Sequence, residues 1–166
     1  FKSRYGGDPA VYFIDSDFTH NGATNSYAKG GAIANISGAL YIVADQENVL
    51  FDENKAGVTV SYTDPNDRTS ITMTGGTPND IHNVGSLYLL PKEGHSITLN
   101  GGISDGIDVY RDTVNVIANK GVTYIGGQWD NRGTLEDHRG TVYMNGTLTQ
   151  KTLNVLDGNL VVNADN

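Results

Sequence analysis

Apolar and polar side chains alternate with a period of two in many short segments of the chain. In ALYIVA, residues 39–44, Leu40 and Ile42 share one face, while Tyr41 and Val43 share the other. This alternation is typical of β-strands that bury one face, and no segment sustains a helical spacing of apolar residues over three turns. The pattern predicts an all-β chain that turns aliphatic side chains inward and tyrosines outward. The same alternation occurs in SLYLL, residues 86–90, and in TVYM, residues 141–144.

The segments between these strands are short and rich in asparagine, aspartate and glycine. Gly adopts the positive-φ conformation of a tight corner without steric cost, and Asn tolerates that conformation and donates its amide to an equivalent Asn one coil along. We therefore expect strands that stack in one direction, as in a right-handed, single-stranded parallel β-helix. A period of about 20 to 25 residues predicts about seven coils, in a single domain over residues 1–166.

One long segment interrupts the pattern of short strands. GVTVSYTDPNDRTSITMTGG, residues 57–76, is long enough for either an extra coil or a protruding loop. Its middle is the run Asp-Pro-Asn-Asp, whose residues all favour tight turns. We therefore predict a protrusion at Thr63 to Arg68.

Two tetrapeptide motifs recur in the first third of the chain. Phe-x-x-Asn occurs in FTHN, residues 18–21, and in FDEN, residues 51–54, and the segment GGAI lies between the two copies. We expect the motif residues to be architectural, with the phenylalanines in the column of core side chains. These residues are Phe18, Asn21, Gly30, Gly31, Ala32, Ile33, Phe51 and Asn54.

GGAI followed by FxxN resembles the repeats of chlamydial polymorphic membrane proteins and related autotransporter passengers. The resemblance divides the chain into GGAI/FxxN-type repeats at 1–57 and looser autotransporter-type coils at 58–166. It implies type V secretion by a Gram-negative bacterium, and a location at the cell surface, at the outer membrane or outside the cell. Any membrane contact would pass through a C-terminal barrel, which we expect to lie outside these 166 residues.

Composition narrows the classes of partner. The formal net charge is −8, with 11 Lys and Arg against 19 Asp and Glu, which argues against binding nucleic acid because phosphate recognition needs clustered cations. The chain has no Cys, so it contains neither disulfides nor Cys-ligated metal. Its longest apolar runs, at 39–44 and 86–91, are much shorter than the roughly 20 residues of a membrane helix.

One segment carries the letters of a catalytic motif. GISDG, residues 102–106, matches the nucleophile elbow G-x-S-x-G, which functions at a strand-to-helix turn. The segment that follows, IDVYRDTVNVIA, alternates like a strand. We therefore predict a β-helix corner here and no catalytic residue.

Acidic residues offer two further kinds of site. Asp108, Arg111 and Asp112 suit either a carbohydrate-cleaving cleft or, as charge runs usually do, a solvated outer face. DSD at 15–17, TDPND at 63–67 and SDGID at 104–108 offer oxygen ligands for Ca²⁺, but none matches the EF-hand loop. We expect no cofactor and no metal, with Ca²⁺ as the alternative.

Outward-facing tyrosines are the candidate contact residues. Tyr41, Tyr88 and Tyr143 either line up as an aromatic strip for sugars or proteins, or pack as ordinary residues of a half-buried sheet face.

Together with the resemblance, these features predict a non-catalytic surface or secreted passenger that acts as an adhesin or a structural scaffold. Its expected partner is a host surface protein, a glycan or other copies of itself. Two alternatives stay open. One is a filament subunit that stacks end to end, because neither terminal segment has the sequence of a cap. The other is a carbohydrate-active β-helix hydrolase or lyase.

Overall fold

The computed structural model describes residues 10–24, 29–64, 66–110, 113–116, 118–128 and 137–163. Within these ranges the chain is all-β, with twenty-one strands, mostly in parallel pairs, and no helix. The prediction of an all-β chain is confirmed. In chain order the strands are β1 (Ala10–Ile14), β2 (Phe18–Thr19), β3 (Gly22–Thr24), β4 (Ile33–Asn35), β5 (Ala39–Ala44), β6 (Val49–Asp52), β7 (Lys55–Asp64), β8 (Asp67–Pro78), β9 (Ile81–Asn83), β10 (Ser86–Pro91), β11 (Ser96–Leu99), β12 (Gly102–Ser104), β13 (Ile107–Tyr110), β14 (Thr113–Val116), β15 (Val122–Ile125), β16 (Gly127–Gln128), β17 (Asp137–His138), β18 (Thr141–Met144), β19 (Thr147–Leu148), β20 (Thr152–Val155) and β21 (Asn159–Val162).

Three sheets contain only parallel pairs. Sheet A has the order β1-β5-β10-β15-β20, sheet B has the order β2-β6-β11-β18-β21, and sheet C has the order β4-β9-β12-β19. The chain runs through sheet A, then sheet B, then sheet C, and returns to sheet A beside the strand it left. We call each circuit from one strand of sheet A to the next a pass, and the three sheets together the parallel frame.

The passes are longer and fewer than expected. The register partners Ala10, Ala39, Ser86, Val122 and Thr152 lie 29, 47, 36 and 30 residues apart along the chain. Sheet A has five strands in the described residues, so the period of about 20 to 25 residues and the count of about seven coils were wrong there. In the three later passes the antiparallel pairs β7–β8, β13–β14 and β16–β17 add residues without adding a strand to the parallel frame.

The core forms because the parallel register stacks equivalent side chains in columns. In sheet A, Ile42 pairs with Leu89, which pairs with Ile125, and all three are fully buried. The predicted inward orientation of Leu40 and Ile42 is confirmed, since both are buried. Phe51, Leu99 and Met144 form a matching column in sheet B. Ile81 and Ile103 form another in sheet C. These side chains join in one hydrophobic cluster.

The longest hairpin confirms the predicted protrusion. β7 and β8 pair antiparallel from Lys55 and Pro78 out to Asp64 and Asp67, so the turn falls within residues 63–68. β7 also pairs in parallel with β3, which anchors the hairpin to the previous pass. Two other antiparallel pairs occur in the described residues, β13 with β14 and β16 with β17.

Candidate functional site

The two FxxN motifs stack directly on each other. Phe18 and Phe51 are register partners, with ring centroids 4.6 Å apart and an interplanar angle of 12°. The Asn21 amide donates to Asn54 Oδ1 at 2.9 Å, and the Asn21 backbone N–H donates to the same oxygen. The motif therefore places a core aromatic residue and a corner amide one pass above their equivalents, as expected of architectural residues.

The third position of each FxxN motif has left-handed backbone. His20 has a φ of 57° and Glu53 has a φ of 52°, which is a sterically costly region for residues with a Cβ. Their exposed side chains are in contact, since His20 Nε2 lies 2.5 Å from Glu53 Oε2. Every position of the motif thus has a counterpart in the neighbouring pass.

Asn54 continues the chain of hydrogen bonds inward to a buried carboxylate. Its Nδ2 donates to Asp80 Oδ1 at 2.8 Å, and Asp80 Oδ2 accepts the backbone N–H groups of Gly101 at 2.7 Å and Gly102 at 3.0 Å. Asp80 is fully buried. Burial raises the pKa of Asp80 above its ordinary value of 3.8, because the hydrogen bonds from Asn54, Gly101 and Gly102 offset desolvation only in part.

GGAI occupies a corner where backbone segments approach closely. Gly30 and Gly31 are buried, and the Gly31 N–H donates to the Asn79 carbonyl at 2.8 Å. A Cβ on Gly31 would lie 2.5 Å from the Asn79 oxygen, so only glycine fits. Ala32 and Ile33 pack against the core cluster. The motif is structural at this corner.

Two further amide ladders support the predicted role of asparagine. Asn35 Nδ2 donates to Asn83 Oδ1 at 2.7 Å, and Asn83 Nδ2 donates to Gln150 Oε1 at 2.7 Å. The second ladder is more exposed and links four passes through donor–acceptor distances of 2.7 to 2.8 Å. Its members are Asp52, Asn100, Asn145 and Asn163.

Sheet A carries a row of stacked tyrosines on the face opposite the core. Tyr12, Tyr41, Tyr88 and Tyr124, which we call the Tyr row, have successive centroid distances of 4.6, 4.4 and 4.7 Å and interplanar angles of 15° or less. All four are half-buried. Burial raises the pKa of Tyr88, nearby Tyr124 adds to the rise, and a hydrogen bond with Tyr41 opposes it.

The Tyr row differs from the predicted strip of Tyr41, Tyr88 and Tyr143. Tyr143 lies in sheet B, where its register partners are Thr98 and Val161, and so it is not aligned with the other two. Tyr12 and Tyr124 were missed, although AVYF and VTYI repeat the spacing of ALYI and SLYL. Because the inner rings have both faces covered by neighbours, the row offers a sugar mainly ring edges and hydroxyls.

GISDG lies on a strand that leads into another strand. Ser104 ends β12, and the chain continues into β13, so the strand-to-helix turn required by a nucleophile elbow does not form here. Ser104 Oγ accepts a hydrogen bond from Asn79 Nδ2 at 2.7 Å and lies 2.9 Å from Nδ1 of its register partner, the buried His82. Sequence reasoning missed this polar group, since its members come from two segments that lie more than 20 residues apart in the chain.

The acidic segments serve as corner acceptors where their side chains are described. Asp15 Oδ1 accepts the backbone N–H groups of residues 45 to 47, at 2.7 to 3.2 Å. Asp105 Oδ2 accepts the Gly121 N–H at 2.7 Å. Across the described residues, no three His, Cys, Asp or Glu side chains are grouped to hold a metal ion. Arg111, Asp112 and the side chains of Thr63, Asp64, Pro65, Asp67 and Asp108 lie outside the description.

The β7–β8 hairpin exposes apolar side chains on one face. Val60 pairs with Met73 and Tyr62 pairs with Ile71, and directly paired residues share a face. Tyr62, Ile71 and Met73 are 51%, 55% and 37% exposed. We call these four residues the hairpin surface. At its base a groove runs between Ile71 and Met73 on one side and His20, Glu53 and Lys55 on the other.

No protein-family model, no curated protein and no solved structure matches this chain. The resemblance to autotransporter passengers therefore rests on the GGAI and FxxN motifs. In the described part of the chain, no helix has the length and apolar character to cross a membrane.

Proposed function

We propose that this chain is a segment of an autotransporter-type passenger, folded as a right-handed, single-stranded parallel β-helix, that serves at a bacterial cell surface as a non-catalytic adhesive scaffold. In this proposal the parallel frame supplies stiffness, and the hairpin surface contacts a protein partner. The observation that carries it is the projection of an apolar hairpin from a frame whose stacked core columns are buried.

The winding is supported by the order of the sheets and by the register. At the end of each pass the chain reaches sheet A beside the strand from which the pass began. The two strands then pair in parallel, over four to six residues. Parallel strands joined by a crossover are right-handed in nearly all proteins, which favours the right-handed form. Stacking of FxxN on FxxN is what tandem repeats of such a passenger require.

The contact surface is supported by exposure and by the sheet edge. An apolar cluster on a protruding element is costly to leave in water unless it serves a contact. β8 is the outer strand of its three-stranded sheet, and Ile71 to Thr77 contains neither charge nor proline. Such an edge accepts a strand from another protein, because its backbone groups are free to pair and nothing along it repels a partner.

A protein partner suits these features better than a glycan does. Sugars bind aromatic side chains by stacking on ring faces, and the inner rings of the Tyr row have both faces occupied. The hairpin surface offers aliphatic and thioether side chains with Tyr62, a mixture that packs well against protein side chains.

The test is binding of the purified chain to immobilised fibronectin, laminin and collagen, alongside a glycan array. We expect saturable binding to a protein, reduced at least about tenfold by the double variant Tyr62→Ser, Ile71→Ser. The control variant Val155→Ser, Leu156→Ser changes exposed apolar residues outside the hairpin and should bind as the parent does. Binding to glycans alone, or equal loss in both variants, would contradict the proposed surface.

The two alternatives stay predictions. End-to-end stacking is tested by light scattering over a wide concentration range, where a monodisperse monomer would remove it. The carbohydrate-active alternative rests on Asp108, Arg111 and Asp112, and release of reducing sugar from an acidic polysaccharide would support it.

A further inference from the structure

The Tyr row brings four oxidisable side chains into contact along sheet A. Each ring lies 4.4 to 4.7 Å from the next, and the register of the parallel strands holds them there. We infer that the Tyr row is an oxidative modification site, at which a peroxide-driven one-electron oxidant couples Tyr41 to Tyr88 as dityrosine and so joins adjacent passes covalently.

The chemistry balances with hydrogen peroxide as the terminal oxidant and a peroxidase as the one-electron carrier. Each phenol loses one electron and its hydroxyl proton to give a phenoxyl radical. The two radicals combine through the ring carbons ortho to oxygen, forming one C–C bond, and the two hydrogens on those carbons move to the oxygens and restore the phenols. The peroxide takes up two electrons and two protons and leaves as two molecules of water.

The geometry favours coupling within the row. Two radicals on separate molecules must meet by diffusion, whereas neighbours in the row are already in contact, which greatly raises their effective concentration. Tyr41 and Tyr88 are the closest and most nearly parallel pair, at 4.4 Å and 7°. Both are half-buried, so a small oxidant reaches their edges while the sheet still fixes their positions.

The bond would have a structural consequence for a chain with no cysteine. A link between Tyr41 and Tyr88 closes a loop that contains the whole β7–β8 hairpin, and a cross-link that closes a long loop restricts the unfolded chain. Dityrosine resists reduction, unlike a disulfide. The oxidised chain should therefore unfold at a higher temperature than the untreated chain.

The experiment treats the dilute chain with a peroxidase and limiting hydrogen peroxide. Dityrosine fluorescence, the loss of two hydrogens in the intact mass, and peptide mapping report the link, and a denaturing gel separates monomers from dimers. We expect cross-linked monomer that maps to Tyr41 and Tyr88 and shows a raised unfolding temperature.

Two variants make the inference falsifiable. Tyr41→Phe, Tyr124→Phe keeps four stacked rings but leaves no two tyrosines adjacent in the row, so the yield of cross-linked monomer should fall at least about tenfold. Tyr62→Phe, Tyr143→Phe removes exposed tyrosines outside the row and should leave that yield unchanged. An unchanged yield in the first variant, a loss in the second, or dimers alone in the parent would overturn the inference.

Discussion

The parallel frame and the β7–β8 hairpin bury their apolar side chains to very different extents. In the frame, Phe51 and Ile42 are fully buried, in columns that run from pass to pass. In the hairpin, Tyr62 and Ile71 are each more than half exposed, although their strands are longer than any strand of the frame. Strand pairing alone therefore does not create a core; stacking of one pass on the next does.

The difference separates what stabilises the molecule from what it presents. Apolar side chains in the columns contribute to folding, because each is removed from water on all sides. Apolar side chains on the hairpin remain in water and contribute little to folding, and so they are available to a partner. Substitutions of apolar residues in the columns should therefore lower the free energy of unfolding more than substitutions on the hairpin do.

The largest expected effect is in the frame. Phe51→Ala should lower the free energy of unfolding by about 3 to 5 kcal/mol, because it opens a cavity between Phe18 and Leu99. Ile71→Ala in the hairpin should change it by less than about 0.5 kcal/mol. Urea unfolding followed by circular dichroism measures both.

Equal losses in these two variants would remove the distinction between the frame and the hairpin. A small loss for Phe51→Ala alone would mean that the column collapses around the smaller side chain, or that Phe51 lies outside the core.

Local pattern predicted the features that depend on a few neighbouring residues. Period-two alternation predicted which side chains point inward, such as Ile42 and Leu89. The turn-favouring run Asp-Pro-Asn-Asp predicted that the hairpin ends near Asp64. The FxxN motif indicated a buried Phe51 and an amide ladder through Asn54, because motif and ladder both depend on a single corner.

Features that depend on the length of a pass were not predictable from pattern. TVYM matches ALYI in its alternation, yet Tyr143 lies in sheet B, because β18 is the next frame strand after β15 of sheet A. Asp80 and His82 escaped notice because burial of a polar side chain depends on which segments surround it, and Asp80 receives hydrogen bonds from residues 54, 101 and 102. No local signal marks such partners.

A pH-dependent effect is also expected at Asp80, which precedes strand β9 of the frame. The pKa of Asp80 is raised above 3.8, so the folded chain holds this proton more tightly than the unfolded chain does. The contribution of Asp80 to stability is therefore fully present below its unfolded pKa and is lost as the pH rises through its higher folded pKa. The parent should have a higher free energy of unfolding than Asp80→Asn at low pH, and this difference should shrink as the pH rises above 3.8.

Urea unfolding of both proteins from about pH 4 to about pH 7 measures this trend. The matched control is Asn83→Ala, which removes another buried polar group of the frame that does not titrate, and its difference from the parent should stay constant with pH. A parent advantage that grows with pH for Asp80→Asn would mean that the Asn54, Gly101 and Gly102 hydrogen bonds outweigh burial.

The smallest expected effect tests whether the FxxN corners carry local strain. His20 has positive φ, so His20→Gly relieves a steric cost of about 1 to 2 kcal/mol and adds about 0.5 to 1 kcal/mol of unfolded-state entropy. The net result should be a gain of about 0.5 to 1 kcal/mol in the free energy of unfolding, since the exposed pair with Glu53 contributes little. Thr19→Gly, one residue earlier in strand β2, should destabilise by a similar amount. Equal losses for both glycine variants would show that the motif tolerates its left-handed residue at no cost, and that the corner is held by the Phe and Asn positions alone.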